Sequence, residues 1–229
     1  MFKIDRWLSF QLGCSVYNTK YIDKNFNFSK YAHKKILITI KSNKKIKNSF
    51  LKKNKIRLIE KNLTFFKNSK KEKLEENYFK NIRFANSFDK KQILDIAEHS
   101  FIYSRFFKDK NIKRYLARKI KRNWVLNFFR KKRGKYLIVS ECKKKVVGFL
   151  LILKSKNNYI IDLVAVKKNY QNLGFGTKMI KFLENMILKR NKVKIYVSTQ
   201  SNNKDSIKLY IKNKFKVKYR NYVYHFNGY

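Results

Sequence analysis

Gln171-Asn172-Leu173-Gly174-Phe175-Gly176-Thr177 joins two stretches of different hydrophobic period, and its reading decides the fold. Before it, residues 159–166 form a β-branched and aromatic run of the kind that makes a buried strand. After it, Met179, Ile180, Leu183, Met186 and Ile187 recur at helical spacing, with Lys178, Lys181 and Glu184 on the opposite face. Glycines at such a junction let the backbone approach a ligand closely and adopt conformations barred to other residues. The first turn of the following helix has N–H groups without intrahelical partners, carrying positive partial charge. Together these features make an anion site suited to a pyrophosphate. Taken alone, a Gly-x-Gly pair reads equally well as a tight turn with no ligand.

Other phosphate loops fit poorly. The stretch has no Gly-Lys-Ser/Thr ending, so it is not a P-loop. It lacks the third glycine of a dinucleotide fingerprint, and its strand leaves a meander rather than opening a βαβ unit.

Upstream, residues 136–140, 146–153 and 159–166 are three strand-like runs separated by polar stretches, which predicts an antiparallel meander. Two amphipathic helices precede them. Ile93, Ile96, Ala97 and Phe101 mark the first, with Asp89 as its expected N-cap; Ile112, Tyr115, Leu116, Ile120 and Trp124 mark the second. Downstream, residues 194–199 read as a strand, 206–213 as a short helix presenting Ile207, Tyr210 and Ile211, and 217–226 as a closing strand. The order helix, helix, three strands, helix, strand, helix, strand predicts a mixed α/β domain over residues 83–229. Residues 1–82 are expected to form a smaller N-terminal unit. There, lysine-rich stretches at 41–55 and 67–80 flank a strand-like segment at 56–66.

The chain has 58 Lys plus Arg against 14 Asp plus Glu, with no proline and six glycines. So dense a positive charge suits a polyphosphate partner. The lysines, however, are spread along the chain rather than massed in one arm or helix. Abundant Lys, Asn, Ile, Phe and Tyr also match the composition an A+T-rich genome produces, so no specific nucleic-acid partner is expected. Cys14 and Cys142 form neither a disulfide framework nor a metal-ligand spacing, and no metal site is expected. Asp5 and Arg6 stand where a signal peptide would need apolar residues, and the longest apolar run, 146–153, is far short of the roughly 20 residues of a spanning helix. A soluble, cytoplasmic protein without a membrane span is expected.

Gln-x-x-Gly-x-Gly opening a helix after such a meander resembles the acetyl-CoA loop of the GNAT superfamily of N-acetyltransferases. The resemblance implies a mixed, mostly antiparallel sheet flanked by helices, and an enzyme using acetyl-CoA. It implies that Leu163, Val164, Ala165 and Val166 bind the cofactor with free backbone groups, and that Gln171, Asn172, Gly174, Phe175, Gly176 and Thr177 hold its pyrophosphate. Asn203 and Tyr210 match an Asn and Tyr seven residues apart in that superfamily. The first would hydrogen-bond the pantetheine, and the second would be the general acid that protonates the departing thiolate. Read without the family, Asn203 is a helix N-cap and Tyr210 a core aromatic.

Phe101-Ile102-Tyr103-Ser104-Arg105-Phe106, Tyr196-Val197-Ser198-Thr199-Gln200 and Tyr222-Val223-Tyr224-His225-Phe226 resemble the dTDP-4-amino-sugar N-acetyltransferases, above all the dTDP-fucosamine acetyltransferases. So does the N-terminal third, through Trp7-Leu8-Ser9-Phe10-Gln11-Leu12-Gly13 and Leu58-Ile59-Glu60. Residues 31–53 have no counterpart in that family. The resemblance implies a small-molecule amine acceptor, a sugar nucleotide, and a base at Glu60 acting through ordered water. The bland alternative for Glu60 is an exposed strand end paired with a lysine. Arg105 is a candidate for gripping a substrate phosphate, or else a helix-end residue. Glu98 and Asp162 are further acids in the region. His99 is expected on a helix surface, and His33 and His225 have no companion in the sequence. Other acceptors (a peptide N-terminus, a polyamine, an antibiotic), a non-catalytic basic nucleic-acid-binding module, and a homodimer all stay open.

Overall fold

A computed structural model describes residues 2–20, 22–23, 26–68, 76–187 and 193–228. The elements run β1 (Lys3–Ile4), α1 (Arg6–Leu12), β2 (Ser15–Thr19), β3 (Ile36–Ser42), α2 (Asn48–Lys53), β4 (Arg57–Asn68), β5 (Ile82–Phe84), α3 (Lys90–Ser100), α4 (Arg105–Lys108) and α5 (Arg114–Phe129). They continue with β6 (Tyr136–Cys142), β7 (Lys145–Ser155), β8 (Asn158–Val166), α6 (Phe175–Ile187), β9 (Lys194–Gln200), α7 (Lys204–Lys212) and β10 (Lys216–Asn227). These strands join one sheet in the order β1-β2-β3-β10-β4-β9-β8-β7-β6-β5. Among the described residues, only β2–β3 and β8–β9 pair in parallel.

The sheet is apolar on both faces because its central strands are continuous apolar runs. In β7, Leu150 and Ile152 face the cluster under α6 and α7 with Met179, Ile180, Leu183 and Tyr210. Phe149 and Leu151 face the opposite cluster with Ile93, Ile96 and Val125 of α3 and α5. α5 is long enough to continue that second face over the N-terminal strands. Its Ala117 and Ile120 pack with Leu8, Val16, Leu37 and Phe106, and Trp124 meets Trp7 edge-on at 5.7 Å. The N-terminal strands bury Ile36, Ile38 and Ile40 on the other face, against Tyr224 and Phe226 of β10. Periodicity missed β3 because Ile36-Leu37-Ile38-Thr39-Ile40 sits inside a lysine-rich surround.

Three local expectations need correcting. Asp89 does not cap α3 with its side chain. Its carboxylate instead accepts from the Asn86 N–H at 2.8 Å and from Arg83 at 2.7 and 2.9 Å, which closes a capping box in the turn before α3. Glu184 is buried rather than solvent-facing, with the ammonium of Lys67 against its carboxylate. Ile211 of α7 is exposed.

The scarcity of glycine shows in the turns. The β6–β7 hairpin has a two-residue loop, with Lys143 at φ 48° and Lys144 at φ 60°. A turn of this shape needs positive φ at both positions, and a residue with a Cβ pays about 1–2 kcal/mol for it. Replacing the pair with Asn-Gly (K143N/K144G) is expected to stabilise the fold by about 1 kcal/mol, read as a higher urea midpoint at unchanged m.

Candidate functional site

β8 pairs with β9 only over Asn158–Ile161. At the next residue its register against β7 slips: Ile152 faces Ile161, Leu151 faces Leu163, and Asp162 is the extra residue of a bulge. A bulge bends the strand and re-aims the residues beyond it. The two faces record this directly. Tyr159 and Ile161 lie in the core under α6, whereas Leu163 and Ala165 lie in the core under α3 and α5. Past the bulge, residues 163–166 stay bonded to β7 but, like Asp162, have no ladder partner on the β9 side among the described residues, which leaves one edge of backbone N–H and C=O groups free. Asp162 is held in place by Arg133, at 2.7 Å on each carboxylate oxygen, and by the Trp124 indole N–H at 2.9 Å.

A cleft of about 1060 Å³ opens along this free edge. Its walls include Asp162, Leu163, Val164, Ala165 and Val166 on one side and Ser198, Thr199 and Gln200 of β9 on the other. At one end the walls are Gln171, Asn172, Gly174, Phe175, Gly176 and Thr177, with Asn203 and Tyr210 beside them. The loop is tied to the strand by Gln171, whose Nε2 donates to the Val166 carbonyl at 3.0 Å. Gly174 has φ +84°, and a Cβ there would meet open space, so its backbone is the loop's left-handed turn. Gly176 lines the cleft and has a packing role as well. A Cβ on it would come within 3.2 Å of Leu209, so it serves the close approach of α6 to α7.

α7 carries both matched residues. The Asn203 side chain accepts from the Ser206 N–H at 3.1 Å, so it caps the helix and also lines the cleft. Tyr210 packs its ring against Phe65 and Phe215, with centroids at 5.6 and 5.8 Å. It is therefore a core aromatic and a cleft residue at once. Burial pushes its phenol well above the ordinary value, so it stays protonated through the neutral range.

Glu60 and Arg105 are not among the cleft's lining residues. Glu60 lies in the row Lys41–Val223–Glu60 across β3, β10 and β4. It is buried, which excludes the exposed strand end, and it accepts from Asn62 Nδ2 at 2.8 Å and Gln200 Nε2 at 3.3 Å. Gln200 thus links it to the cleft wall. Arg105, at the start of α4, stacks its guanidinium on Phe106 at 4.6 Å, and its Nε is buried without an acceptor among the described residues. Desolvation pulls its charge down while Glu60 and Asp5 support it.

Sequence reading gave His225 no companion, but the fold supplies one. Fully buried on β10, its Nδ1 meets Asp109 Oδ2 at 2.6 Å. Asp109, also buried, further accepts from Arg57 Nη2 at 2.9 Å, the Asn111 N–H at 3.0 Å and Asn227 Nδ2 at 3.3 Å. His225 and Asp109 are 116 residues apart, so no spacing could have revealed the pair. His99 and Asp95 are largely exposed on α3, as expected of a helix surface.

The sequence profile of the acetyltransferase (GNAT) family matches residues 92–215, more than half of the chain. The chain belongs to the GNAT family. The splayed β8, the Gln-x-x-Gly-x-Gly loop and Tyr210 all fall inside the matched stretch, whereas Glu60, Arg57 and His225 lie outside it. Among curated proteins, the chain is 32% identical over 142 residues to the spore coat polysaccharide biosynthesis protein SpsD of Bacillus subtilis (strain 168). That similarity covers 60% of this chain and 47% of SpsD, so the chain spans about half the length of this relative. Among solved structures, a conserved protein of unknown function from Staphylococcus epidermidis ATCC 12228 superposes with TM-score 0.66 at 12% identity, over 93% of this chain and 84% of its own. A GCN5-related N-acetyltransferase from Sphaerobacter thermophilus superposes with TM-score 0.57 at 12% identity, over 84% and 60%. At such identities the likeness is one of fold. No helix among the described residues is long and apolar enough to cross a membrane.

Proposed function

We propose that this GNAT protein is an acetyl-CoA-dependent N-acetyltransferase whose acceptor is the 4-amino group of a dTDP-4-amino-4,6-dideoxyhexose. The observation that carries the reading is the free backbone edge of residues 162–166, opening onto the start of α6 with Tyr210 at the same cleft. The chain's groups fit acetyl-CoA. The free edge offers donors and acceptors to an amide-bearing arm, and an N–H on it can polarise a thioester carbonyl. The α6 N-terminus and the open turn at Gly174 offer room and donors to a pyrophosphate. Asn203 and Tyr210 face the same space. The Tyr210 phenol is protonated through the neutral range, so a proton is available beside the departing sulfur.

The acceptor side is assigned to the face under α4 and α5, where residues 1–82 contribute Lys41 and Glu60. Glu60, which the resemblance makes the base, is set behind Gln200 and bears on the acceptor through its charge. The resemblance to amino-sugar acetyltransferases and the polysaccharide-biosynthesis name of SpsD support a sugar acceptor. The test is thiol release from acetyl-CoA with a dTDP-4-amino sugar, a peptide N-terminus and a polyamine offered in turn. Turnover of the peptide or polyamine in preference to the sugar would overturn the acceptor while leaving the reaction class standing.

Gly176→Val is expected to weaken acetyl-CoA binding at least tenfold, about 1.4 kcal/mol or more. Its branched side chain would push Leu209 and α7 away from α6 and so displace Asn203 and Tyr210. Calorimetric titration of the folded variant checks this, and unchanged affinity would detach the α6–α7 contact from cofactor binding.

A further inference from the structure

Lys121 of α5 lines the cleft together with Asp162, Leu163 and Ser104. Its Nζ stands over three rings: Trp124 at 4.7 Å, Phe101 at 5.1 Å and Phe106 at 5.8 Å. These rings fix the position of the nitrogen. Among the described residues no carboxylate pairs with it, in contrast to Lys67, Arg57 and Arg133, which hold one each, and Arg83, which holds two. The nearby carboxylates are already engaged: Asp162 of β8 by Arg133 and Trp124, and Glu60 of β4 by Asn62 and Gln200. The remaining charges that act on it are Arg105 of α4 and Arg133 beyond α5, both cationic. An amine on a cleft wall, positioned but unneutralised, is what a proton acceptor at that wall requires.

We propose that Lys121 is a catalytic residue that takes the proton from the acceptor's ammonium group inside the cleft. The proposal rests on the acetyltransferase reading above. Burial, opposed by Asp162 and Glu60 and reinforced by Arg105 and Arg133, brings its ammonium down to about 8, so free amine is present near neutrality. Glu60, set back from the cleft wall, cannot touch the acceptor, but its charge stabilises the ammonium formed on Lys121. In the step, one N–H bond of the acceptor ammonium breaks and its proton joins the lone pair of Lys121 Nζ. The freed amine attacks the thioester carbon, and the C–S electron pair leaves with sulfur, which takes a proton from Tyr210. The second proton lost by the new amide nitrogen restores Tyr210 through water. Lys121 returns its proton to solvent.

Two measurements test this, and the first needs no acceptor. Trace labelling of the intact protein with isotopic acetic anhydride from pH 6.5 to 10.5, read by peptide mass spectrometry, is expected to show Lys121 reacting half-maximally near pH 8. Exposed lysines should do so near their ordinary value of about 10.4. A Lys121 that titrates with the exposed lysines overturns the proposal. The second compares Lys121→Arg with Lys121→Met using acetyl-CoA and a dTDP-4-amino sugar. Both are expected to lose about 10²- to 10⁴-fold in kcat/KM, together with the ascending limb of the pH profile near 8. Recovery of activity in Lys121→Arg would show that only positive charge is needed and would overturn the base role. If the unsubstituted protein turns over none of the amines offered, the acetyltransferase reading falls and the catalytic assignment with it, while the labelling midpoint still decides how Lys121 titrates.

Discussion

Tyr210→Phe is expected to lower kcat by about two to four orders of magnitude while leaving acetyl-CoA affinity nearly unchanged. The ring is fixed by Phe65 and Phe215, and phenylalanine keeps both contacts, so the substitution removes only the hydroxyl. If that hydroxyl protonates the leaving sulfur, its loss is felt in the transition state and not in ground-state binding. Single-turnover thiol release, set beside calorimetric binding of acetyl-CoA, separates the two. A Tyr210→Phe protein at full speed would return the residue to the core and remove it from the mechanism.

The second large effect concerns stability. Asp109→Ala is expected to cost about 3–5 kcal/mol, because it leaves His225, Arg57 and Asn227 without their shared acceptor inside the protein. For a domain of this size that is a fall of about 10 °C or more in Tm. The pair also fixes the sign of the acid dependence. Burial pulls the His225 imidazole below its usual 6.5, although Asp109 opposes this. As pH falls below about 6.5, the unfolded chain therefore takes up a proton that the folded protein refuses, and stability declines. Desolvation pushes the Asp109 carboxyl up, but the hydrogen bonds from His225, the Asn111 N–H and Asn227 hold it below 3.8. Its contribution is present above 3.8 and is lost as pH drops further. Both act in the same direction. His225→Asn can still donate to Asp109 but no longer titrates, so the decline just below pH 6.5 should flatten in that variant. Urea denaturation at pH 7.5, 6 and 5 reads it, and an unchanged slope would show that His225 is not its source.

The C-terminal part of the fold was legible because its signals are local. The meander, the loop at 171–177, the amphipathic α6 and the Asn203–Tyr210 spacing each lie within a few turns of chain. What escaped depended on pairing across the sheet. β3 was hidden by its lysine-rich flanks and is identified by β10 lying against it. Glu184 looked solvent-facing by helical phase, yet Lys67 of β4 covers it. The bulge at Asp162 cannot be read from sequence. Tyr159, Ile161, Leu163 and Ala165 form a perfect alternation in sequence, whereas in space two of them face one core and two the other. The Asp109–His225 pair and the caged Lys121 likewise become visible only when distant elements meet.

The position of β10 also governs how this sheet can be assembled. β3 and β4 are consecutive strands, yet β10 lies between them and bonds to both. Until it enters, β1, β2 and β3 have no ladder connection to the other described strands, and β3 and β4 must be held apart by two strand spacings, about 9–10 Å. The slot exposes unpaired edges on both sides, each able to accept a strand from another molecule. Closing it needs a strand that begins at Lys216, far along the chain from the β4 it joins at Arg57–Asn68, the kind of long-range pairing that makes folding slow. The N-terminal strands thus join the rest of the sheet only through β10, which must bond to β3 and β4 at once.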